Sequence, residues 1–471
     1  TLPEALKRGL SRVNPVRPDE RECPNDCRVS LAPSRQWSSR RLWLFSTTKD
    51  DTGLQYSLAH NERPIFGQMP EKIDYHKIVH LGRTCPVCNV DAWLLLPIPV
   101  AGRSMLSDGS VLTQPLKKCT CSTCGLVQHV DAQQDGNVQN YFGSSYSLGD
   151  HEPNVGFEGG RQRQYAEWIG SSLGQFSPAS ILELGCGNGS LLRELMIKFH
   201  SAEAMGLEPS ERGVKRAQQS GLPVHCAYIE GEDSVRGFSG DLVVSINVIE
   251  HTLRPVSFLG AAKAAVNDGG LVLVVCPDGS EAGSELLFFD HLYSFCPANI
   301  ANLVGRSGLR PVDYRRSPPE LPGFQMVIAA TCPPDEDSSP QEVASADVDV
   351  QRRHASRVSY LTGWKDLDAK LCSTMAGFRK TTVFGVGEMA QLMRAYAPSA
   401  WERIDGFVVD DPMETEFFGY PVVPYRELKA EPSNLVLLAV SQRSIEKLSA
   451  RLRAAGHNVL VIDSLHSQWD G

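Results

Sequence analysis

The 471-residue chain has no long uninterrupted apolar run, no excess of basic residues, no tandem repeat and no extended low-complexity tract. Each absence excludes something. Without an apolar stretch of about 18 residues there is no membrane-spanning helix, and without a charged-then-apolar leader the expected location is the cytoplasm. A formal net charge of -9 and a pI near 5.8 leave no clustered Lys and Arg surface of the kind that nucleic-acid phosphates require, so a small-molecule substrate is expected and neither nucleic acid nor membrane. The 13 cysteines are odd in number and unevenly spread, which fits thiols and a metal site in a reducing compartment better than a disulfide framework. The 42% hydrophobic and 21% charged residues are those of an ordinary soluble globular protein. The length accommodates two or three domains.

What is present is concentrated in ILELGCGNGSLLREL, residues 181–195. An apolar run breaks at Gly185, Gly187 and Gly189, leads into a helix-like stretch through Leu191, Leu192 and Leu195, and is followed on the next apolar run by Glu208 and Pro209. Strand, glycine turn and helix start bring unhindered backbone close to a ligand, and an acid at the tip of the neighbouring strand accepts hydrogen bonds from ribose hydroxyls. The form Glu183-Leu-Gly185-Cys186-Gly187-Asn188-Gly resembles motif I of class I methyltransferases, which implies S-adenosylmethionine (SAM) rather than a dinucleotide. The bland alternative is a glycine-rich turn in an unliganded α/β domain. Downstream, GLEPS at 206–210, HCAYIE at 225–230, DLVVSINVIEHT at 241–252, GGLVLVVCPDG at 269–279 and FQMVIAAT at 324–331 alternate with helix-patterned segments, as a mostly parallel sheet requires. The expected fold class is therefore α/β, a seven-stranded Rossmann-like sheet, with Asn247, Val248 and Ile249 after its fourth strand expected to shape the cofactor pocket.

Cys85-Pro-Val-Cys88 and Cys121-Ser-Thr-Cys124 are two C-x2-C knuckles spaced so that four thiolates can close tetrahedrally around zinc. Four cysteines leave no open coordination position, so the metal is expected to be structural. Cys119 is a rival ligand to Cys121. Cys23 and Cys27 form a C-x3-C without a second pair nearby and read as free thiols. The expected organisation is an N-terminal extension over 1–80, a zinc-binding module over 81–149, the SAM domain over 150–332, an acidic, Ser- and Pro-rich linker over 333–354 and a smaller α/β domain over 355–471.

Knuckles, PLKKCTCSTCGLVQ, the SAM domain and the C-terminal lobe occur in an order that resembles the sugar C-methyltransferases of deoxysugar biosynthesis, three-part zinc enzymes acting on nucleotide-linked keto-sugars. The resemblance covers about residues 81–465. It implies that a Tyr-His-Glu-His stretch, here Phe288-Phe289-Asp290-His291, serves the deprotonation that makes the sugar carbon nucleophilic. It also points to Phe142 and Tyr146, around the Ser-Ser pair of NYFGSSYS, as substrate-facing. In this sequence Phe288 and Phe142 stand where the family has phenols.

C-methylation needs a base within reach of a C–H beside a carbonyl and a group to hold the enolate oxygen. His291 is the candidate base, Asp290 its orienting or substrate-binding partner, and His251 the rival; a neighbouring carboxylate is expected to raise the histidine pKa. Gly385-Val-Gly387-Glu-Met-Ala after an apolar strand reads as a dinucleotide turn, a weak signal alone. The resemblance implies that this lobe grips the substrate's nucleotide, with a lobe that only closes the cleft as the alternative. Three functions therefore stand: SAM-dependent C-methylation of a nucleotide-linked sugar or related metabolite, O- or N-methylation of a small metabolite, and a nucleotide-binding module or NAD-dependent oxidoreductase built on the Gly385 turn.

Overall fold

The structure, a computed structural model, describes residues 74–130, 157–200, 202–331 and 349–462. Nearly all of the N-terminal extension with Cys23 and Cys27, the Phe142 and Tyr146 positions, and most of the 333–354 linker lie outside the described residues.

The cysteine-bearing module contributes β1 (Ile78–Val79), β2 (Trp93–Leu95), a hairpin of β3 (Ser104–Met105) and β4 (Val111–Leu112), then β5 (Lys118–Cys121) and β6 (Val127–His129). The central part runs α1 (Phe157–Ser172), β7 (Ser180–Leu184), α2 (Ser190–Lys198), β8 (Glu203–Glu208), α3 (Glu211–Gln219), β9 (Val224–Cys226), β10 (Gly240–Ile246), α4 (Pro255–Ala265), β11 (Val266–Pro277), β12 (Tyr293–Ser294), α5 (Pro297–Arg306), β13 (Leu309–Arg316) and β14 (Phe324–Thr331). Its seven-stranded sheet has the order β13-β14-β11-β10-β7-β8-β9. The strands are parallel except β14, which is antiparallel to both β11 and β13.

Local chemistry sets these boundaries. Leu191, Leu192 and Leu195 form the buried stripe of α2, the i, i+1, i+4 spacing of a helix face. The Ser210 hydroxyl caps α3 by accepting from Gly213 N at 3.3 Å, satisfying one of the orphan amides of its first turn. β13 is the strand that apolar patterning misses. LRPVDYRR is polar and contains Pro311, which an edge strand tolerates at a break in pairing, and the β13–β14 register shifts between Pro311 and Asp313.

The C-terminal lobe opens with α6 (Val350–Met375), followed by β15 (Lys380–Phe384), α7 (Glu388–Tyr396), α8 (Pro398–Trp401), β16 (Gly406–Val409), β17 (Glu416–Phe417), β18 (Tyr420–Pro424), β19 (Asn434–Leu438), α9 (Gln442–Ala454) and β20 (Asn458–Val461). The sheet order is β17-β18-β16-β15-β19-β20. Helix α6 begins inside the segment expected as linker, where the Asp349 carboxylate caps it by accepting from Arg352 N at 2.9 Å. Among the described residues no helix is long and apolar enough to cross a membrane.

Residues 70–471 form one compact unit, and its parts share cores. One buried cluster runs from Cys85 and Trp93 through Leu182 and Val243 to Ile300; another joins Met105 and Leu286–Phe289 to Trp364, Tyr396 and Phe407. β12, from the stretch between β11 and α5, pairs with β6 of the cysteine-bearing sheet, which thereby reads β1-β2-β5-β6-β12. Arg357, 1% exposed, donates to the Gly125 carbonyl at 2.8 Å and the Gly279 carbonyl at 2.9 Å. The buried cation of α6 thus ties the cysteine loop to the central domain.

Candidate active site

The glycine turn sits at the C-terminal end of β7, where an open α/β sheet places its ligands. Gly185, Gly187 and Gly189 all have positive φ (78°, 55° and 75°), a region that side chains other than glycine's enter at a cost. The three do different jobs. A Cβ on Gly185 would strike the Val248 side chain, and one on Gly189 would strike Leu222, whereas one on Gly187 would meet nothing within 4 Å. Gly187 therefore faces open space. Asn188 accepts from Ser190 N at 3.1 Å and Ser190 Oγ at 2.6 Å, starting α2, and Cys186 packs beneath the turn against Gly206.

Glu208 closes the turn from the next strand: its carboxylate accepts from Gly187 N at 2.8 Å and Ser210 N at 2.9 Å. The Pro209 carbonyl accepts from Cys226 Sγ at 3.8 Å. Burial pushes the Glu208 carboxyl up, and burial together with the Glu208 charge pushes Glu183 well up. Glu183 Oε2 and Asn247 Oδ1 are buried with no hydrogen-bond partner among the described residues. Asn247 has φ 54° and donates from Nδ2 to the Tyr165 hydroxyl at 3.2 Å, which also accepts from Arg161 at 3.4 Å. Two buried acids and two orphaned acceptors beside an open glycine suit a ligand rich in donors and carrying positive charge, as SAM does. Ile249 is wholly buried behind them. Sequence reading missed Tyr165 and Arg161, because α1 lies before motif I and carries no motif of its own.

Next to this turn stand Glu250, His251 and His291, each bringing one nitrogen or oxygen within 4.8 Å of the others. His251 lies in a short 3-10 turn after β10. Its Nδ1 is 2.9 Å from the Asp290 carbonyl oxygen. A carbonyl only accepts, so Nδ1 carries the hydrogen and, in the neutral ring, Nε2 holds the lone pair. The His291 ring packs edge-on to His251, centroids 4.8 Å apart at 90°, and against Phe288 at 4.9 Å; its Nδ1 is buried without a hydrogen-bond partner among the described residues. Burial lowers the pKa of His251 and takes that of His291 well down. The expected rise from a neighbouring carboxylate does not prevail: desolvation of a largely buried imidazolium outweighs Asp290. Both rings are therefore neutral at pH 7.

Asp290 is held from the cysteine-bearing module. Its carboxylate accepts from Ser107 N at 2.8 Å and Ser107 Oγ at 2.5 Å, and Oδ2 lies 3.8 Å from His251 Nδ1. Asp290 thus serves His251 through its carbonyl and its charge. Phe289 N donates to the Met105 carbonyl at 2.7 Å, and the Phe289 ring packs on His129 at 4.5 Å. Helix α7 braces the other side: Arg394 donates to the Gly109 carbonyl at 3.0 Å, and the Tyr396 hydroxyl donates to the Leu287 carbonyl. Lys118, a residue that sequence reading passed over, points into the same region with 2% exposure.

The four cysteine sulfurs converge within 4.8 Å, with Cys85 to Cys124 and Cys88 to Cys121 at 3.5 Å. Tetrahedral zinc with Zn–S of about 2.3 Å sets sulfurs about 3.8 Å apart, so the group fits. Cys119 points away and donates to the Gln128 carbonyl at 3.4 Å. At the C-terminal turn, Gly385 has φ 108° and its N–H donates to the Val408 carbonyl at 2.9 Å. That amide is used inside the sheet. Gly387 precedes α7 in extended backbone.

Residues 157–313 match the family model described as a methyltransferase domain. Curated relatives include a ubiquinone biosynthesis O-methyltransferase of Roseobacter denitrificans, 28% identical over 167 residues, covering 30% of this chain and 63% of that one. A protein of the same name from Ruegeria pomeroyi is 28% identical over 175 residues, covering 32% and 70%. The chain spans under two thirds of the length of the first such relatives. Among solved structures, magnesium protoporphyrin IX methyltransferase of Synechocystis PCC 6803 with bound SAM aligns at 16% identity over 42% of this chain and 98% of that one, TM-score 0.32. The mitomycin 7-O-methyltransferase MmcR aligns at 18% over 37% and 53%, TM-score 0.32. The central part of the chain is a methyltransferase domain, and its sheet has the class I SAM-methyltransferase fold.

Proposed function

We propose that the protein is a SAM-dependent methyltransferase that deprotonates a small acceptor with His251 and methylates it at carbon, the acceptor being a nucleotide-linked keto-sugar or a related enolisable metabolite. The observation that carries this reading is the His251 tautomer. Nδ1 is tied to the Asp290 carbonyl, which in the neutral ring leaves the basic lone pair on Nε2. A general base must be oriented as well as unprotonated, and His251 meets both conditions, whereas the Nδ1 of His291 is unanchored. SAM supplies a methyl group on sulfonium, already an activated electrophile. What the chain's own residues add is placement, proton removal and exclusion of water. Glu208 and the Gly187 turn hold the cofactor's ribose, and Asn247 and Glu183 its polar end. Asp290, 3.8 Å from Nδ1, stabilises the imidazolium once the proton arrives.

O-methylation is the second reading. It is favoured by the names of the relatives, and it uses the same base without an enolate. The two separate in one experiment: nucleotide-linked keto-sugars and small phenols are incubated with SAM in buffered deuterium oxide and the products weighed by mass spectrometry. Carbon transfer predicts methyl gain together with base-dependent exchange of the acceptor C–H, whereas methyl gain on a phenol without any C–H exchange would overturn it. The four cysteines are read as a structural zinc site that fixes the two knuckles, on which Asn299 docks at the Cys124 carbonyl (2.9 Å) and Arg306 at the Val87 carbonyl (3.0 Å). About one zinc per chain is expected. Unchanged zinc content in both Cys88→Ser and Cys124→Ser would remove this ligand set. The C-terminal lobe is read as a brace for the acceptor loops through α7, with the nucleotide end of the acceptor against it.

A further inference from the structure

Lys118 is anomalous among the charged residues. It lies on β5, paired across the sheet with His129, and is 2% exposed. Its ammonium has three N–H donors but makes one hydrogen bond among the described residues, a long one of 3.4 Å to the Glu285 main-chain carbonyl. The nearby carboxyls do not complete it. Glu285 is pushed toward its neutral form by burial and accepts from Ser294 Oγ at 2.7 Å, and the Asp290 carboxylate is taken by both donors of Ser107. Burial lowers the Lys118 pKa to about 8, so the ammonium is still the main form at pH 7. A buried cation left this short of partners is destabilising, and such groups persist where function uses them.

The surroundings say what would satisfy it. Lys118 acts electrostatically on both His251 and His291, and its cross-strand neighbour His129 packs on Phe289 at 4.5 Å, so it stands at the same cluster as the base. Two histidines and a carboxyl converging could suggest a metal ion. The ammonium argues against it, since a second cation at a few ångströms in a water-poor site is repelled strongly. An anion is attracted for the same reason.

Resting on the reading of His251 as base, we propose that Lys118 is the anion-holding residue of the acceptor pocket: its ammonium receives the acceptor oxygen that becomes negative on deprotonation, which restricts acceptors to enolisable carbonyl compounds or acidic hydroxyl compounds. The acceptor's C–H or O–H bond breaks, its proton goes to His251 Nε2 and the electron pair is left on an oxygen held by Lys118. The acceptor atom then forms its bond to the methyl carbon as the methyl–sulfur bond breaks. This supplies the oxyanion-stabilising group that C-methylation needs and that Phe288, lacking a hydroxyl, does not.

The test uses the full chain saturated with S-adenosylhomocysteine and 4-nitrophenol as the probe, because its ionised form is read directly by visible absorbance. Wild type is expected to bind the phenolate and shift the phenol–phenolate balance toward the anion by at least tenfold at fixed pH. Lys118→Met should lose that shift, Lys118→Arg should keep part of it, and both should bind S-adenosylhomocysteine as wild type does by calorimetry. If Lys118→Met fails to fold, Lys118→Gln takes its place. No shift in wild type, or an equal shift in the uncharged variant, overturns the assignment, as does stoichiometric Mn2+ binding lost in His251→Gln, which would make the cluster a cation site. Failure of wild type to bind S-adenosylhomocysteine would instead strike the methyltransferase reading and leave the phenolate result to stand or fall separately.

Discussion

The glycine turn and the histidine cluster lie side by side but are built in opposite ways. The turn is local: Glu183, Gly185, Gly187, Glu208 and the helices they start come from one strand–turn–helix–strand unit, and their contacts, such as Gly187 N to Glu208 at 2.8 Å, join residues of adjacent strands. The histidine cluster is assembled from distant pieces. Ser107 and Lys118 come from the cysteine-bearing module, Glu250 and His251 from the end of β10, Asp290 and His291 from the stretch before β12, and Tyr396 of the C-terminal lobe holds Leu287 from behind. A local site depends on few segments for its alignment. An assembled one can be re-specified by changing any of its suppliers, and it depends on all of them for alignment.

The sharpest break of this contrast is His251→Asn. Turnover is expected to fall by about 10² to 10⁴-fold, the range for a lost general base, with S-adenosylhomocysteine affinity by calorimetry unchanged; near-normal turnover would move the role to His291. The mirror experiment is Glu208→Ala, which should weaken SAM binding by roughly 1.5–3 kcal/mol, the range for hydrogen bonds to a charged group, while circular dichroism stays that of wild type. Retained affinity would detach Glu208 from the cofactor. Ser107→Ala tests assembly at a distance. It removes one charge-assisted bond to Asp290 but leaves the backbone one, so turnover should drop about tenfold, a loss of about 1.4 kcal/mol, with no change at the cofactor turn. A drop in SAM affinity of the same size would show the two sites to be one.

The smallest effect is in pH dependence. Burial raises the Glu250 carboxyl from its ordinary value of 4.5 to about 8. The folded chain therefore keeps a proton that the unfolded chain releases near 4.5, and stability falls as pH rises across that window. Glu250→Gln should flatten the decline of Tm between about pH 6.5 and 8 relative to wild type, and an unchanged slope would show the acid to be ionised already. The histidines run the other way. Their depressed values mean that only the unfolded chain takes up these protons near pH 6.5, so stability falls on acidification below that point.

How much of this was legible follows the same division. The α2 face, the Glu208 position and the parallel strands could be read because each depends on residues close in sequence: glycines where φ is positive, leucines at helical spacing, an apolar run per strand. β13 could not, because an edge strand with Pro311 at a register break carries no apolar run. The start of α6 at Val350 was hidden by the acidic, Ser- and Pro-rich composition just before it. Lys118 and Ser107 had no signal at all. A lysine next to a cysteine knuckle looks like a solvated residue until its strand is buried between two modules, and only then does burial matter to its charge.

The sequence by itself determined the chemistry on offer: a glycine turn fit for SAM, four thiols at metal-binding spacing, and an acid–histidine pair next to an aromatic one. Those follow from short-range rules of backbone dihedrals, ligand spacing and periodicity. Which histidine is oriented, which carbonyl orients it and which cation is buried near it with a single long hydrogen bond were decided by tertiary structure alone. Hydrogen-bond direction and desolvation depend on what packs around a group, and here the packing comes from residues more than a hundred positions away in the chain, as between Ser107 and Asp290.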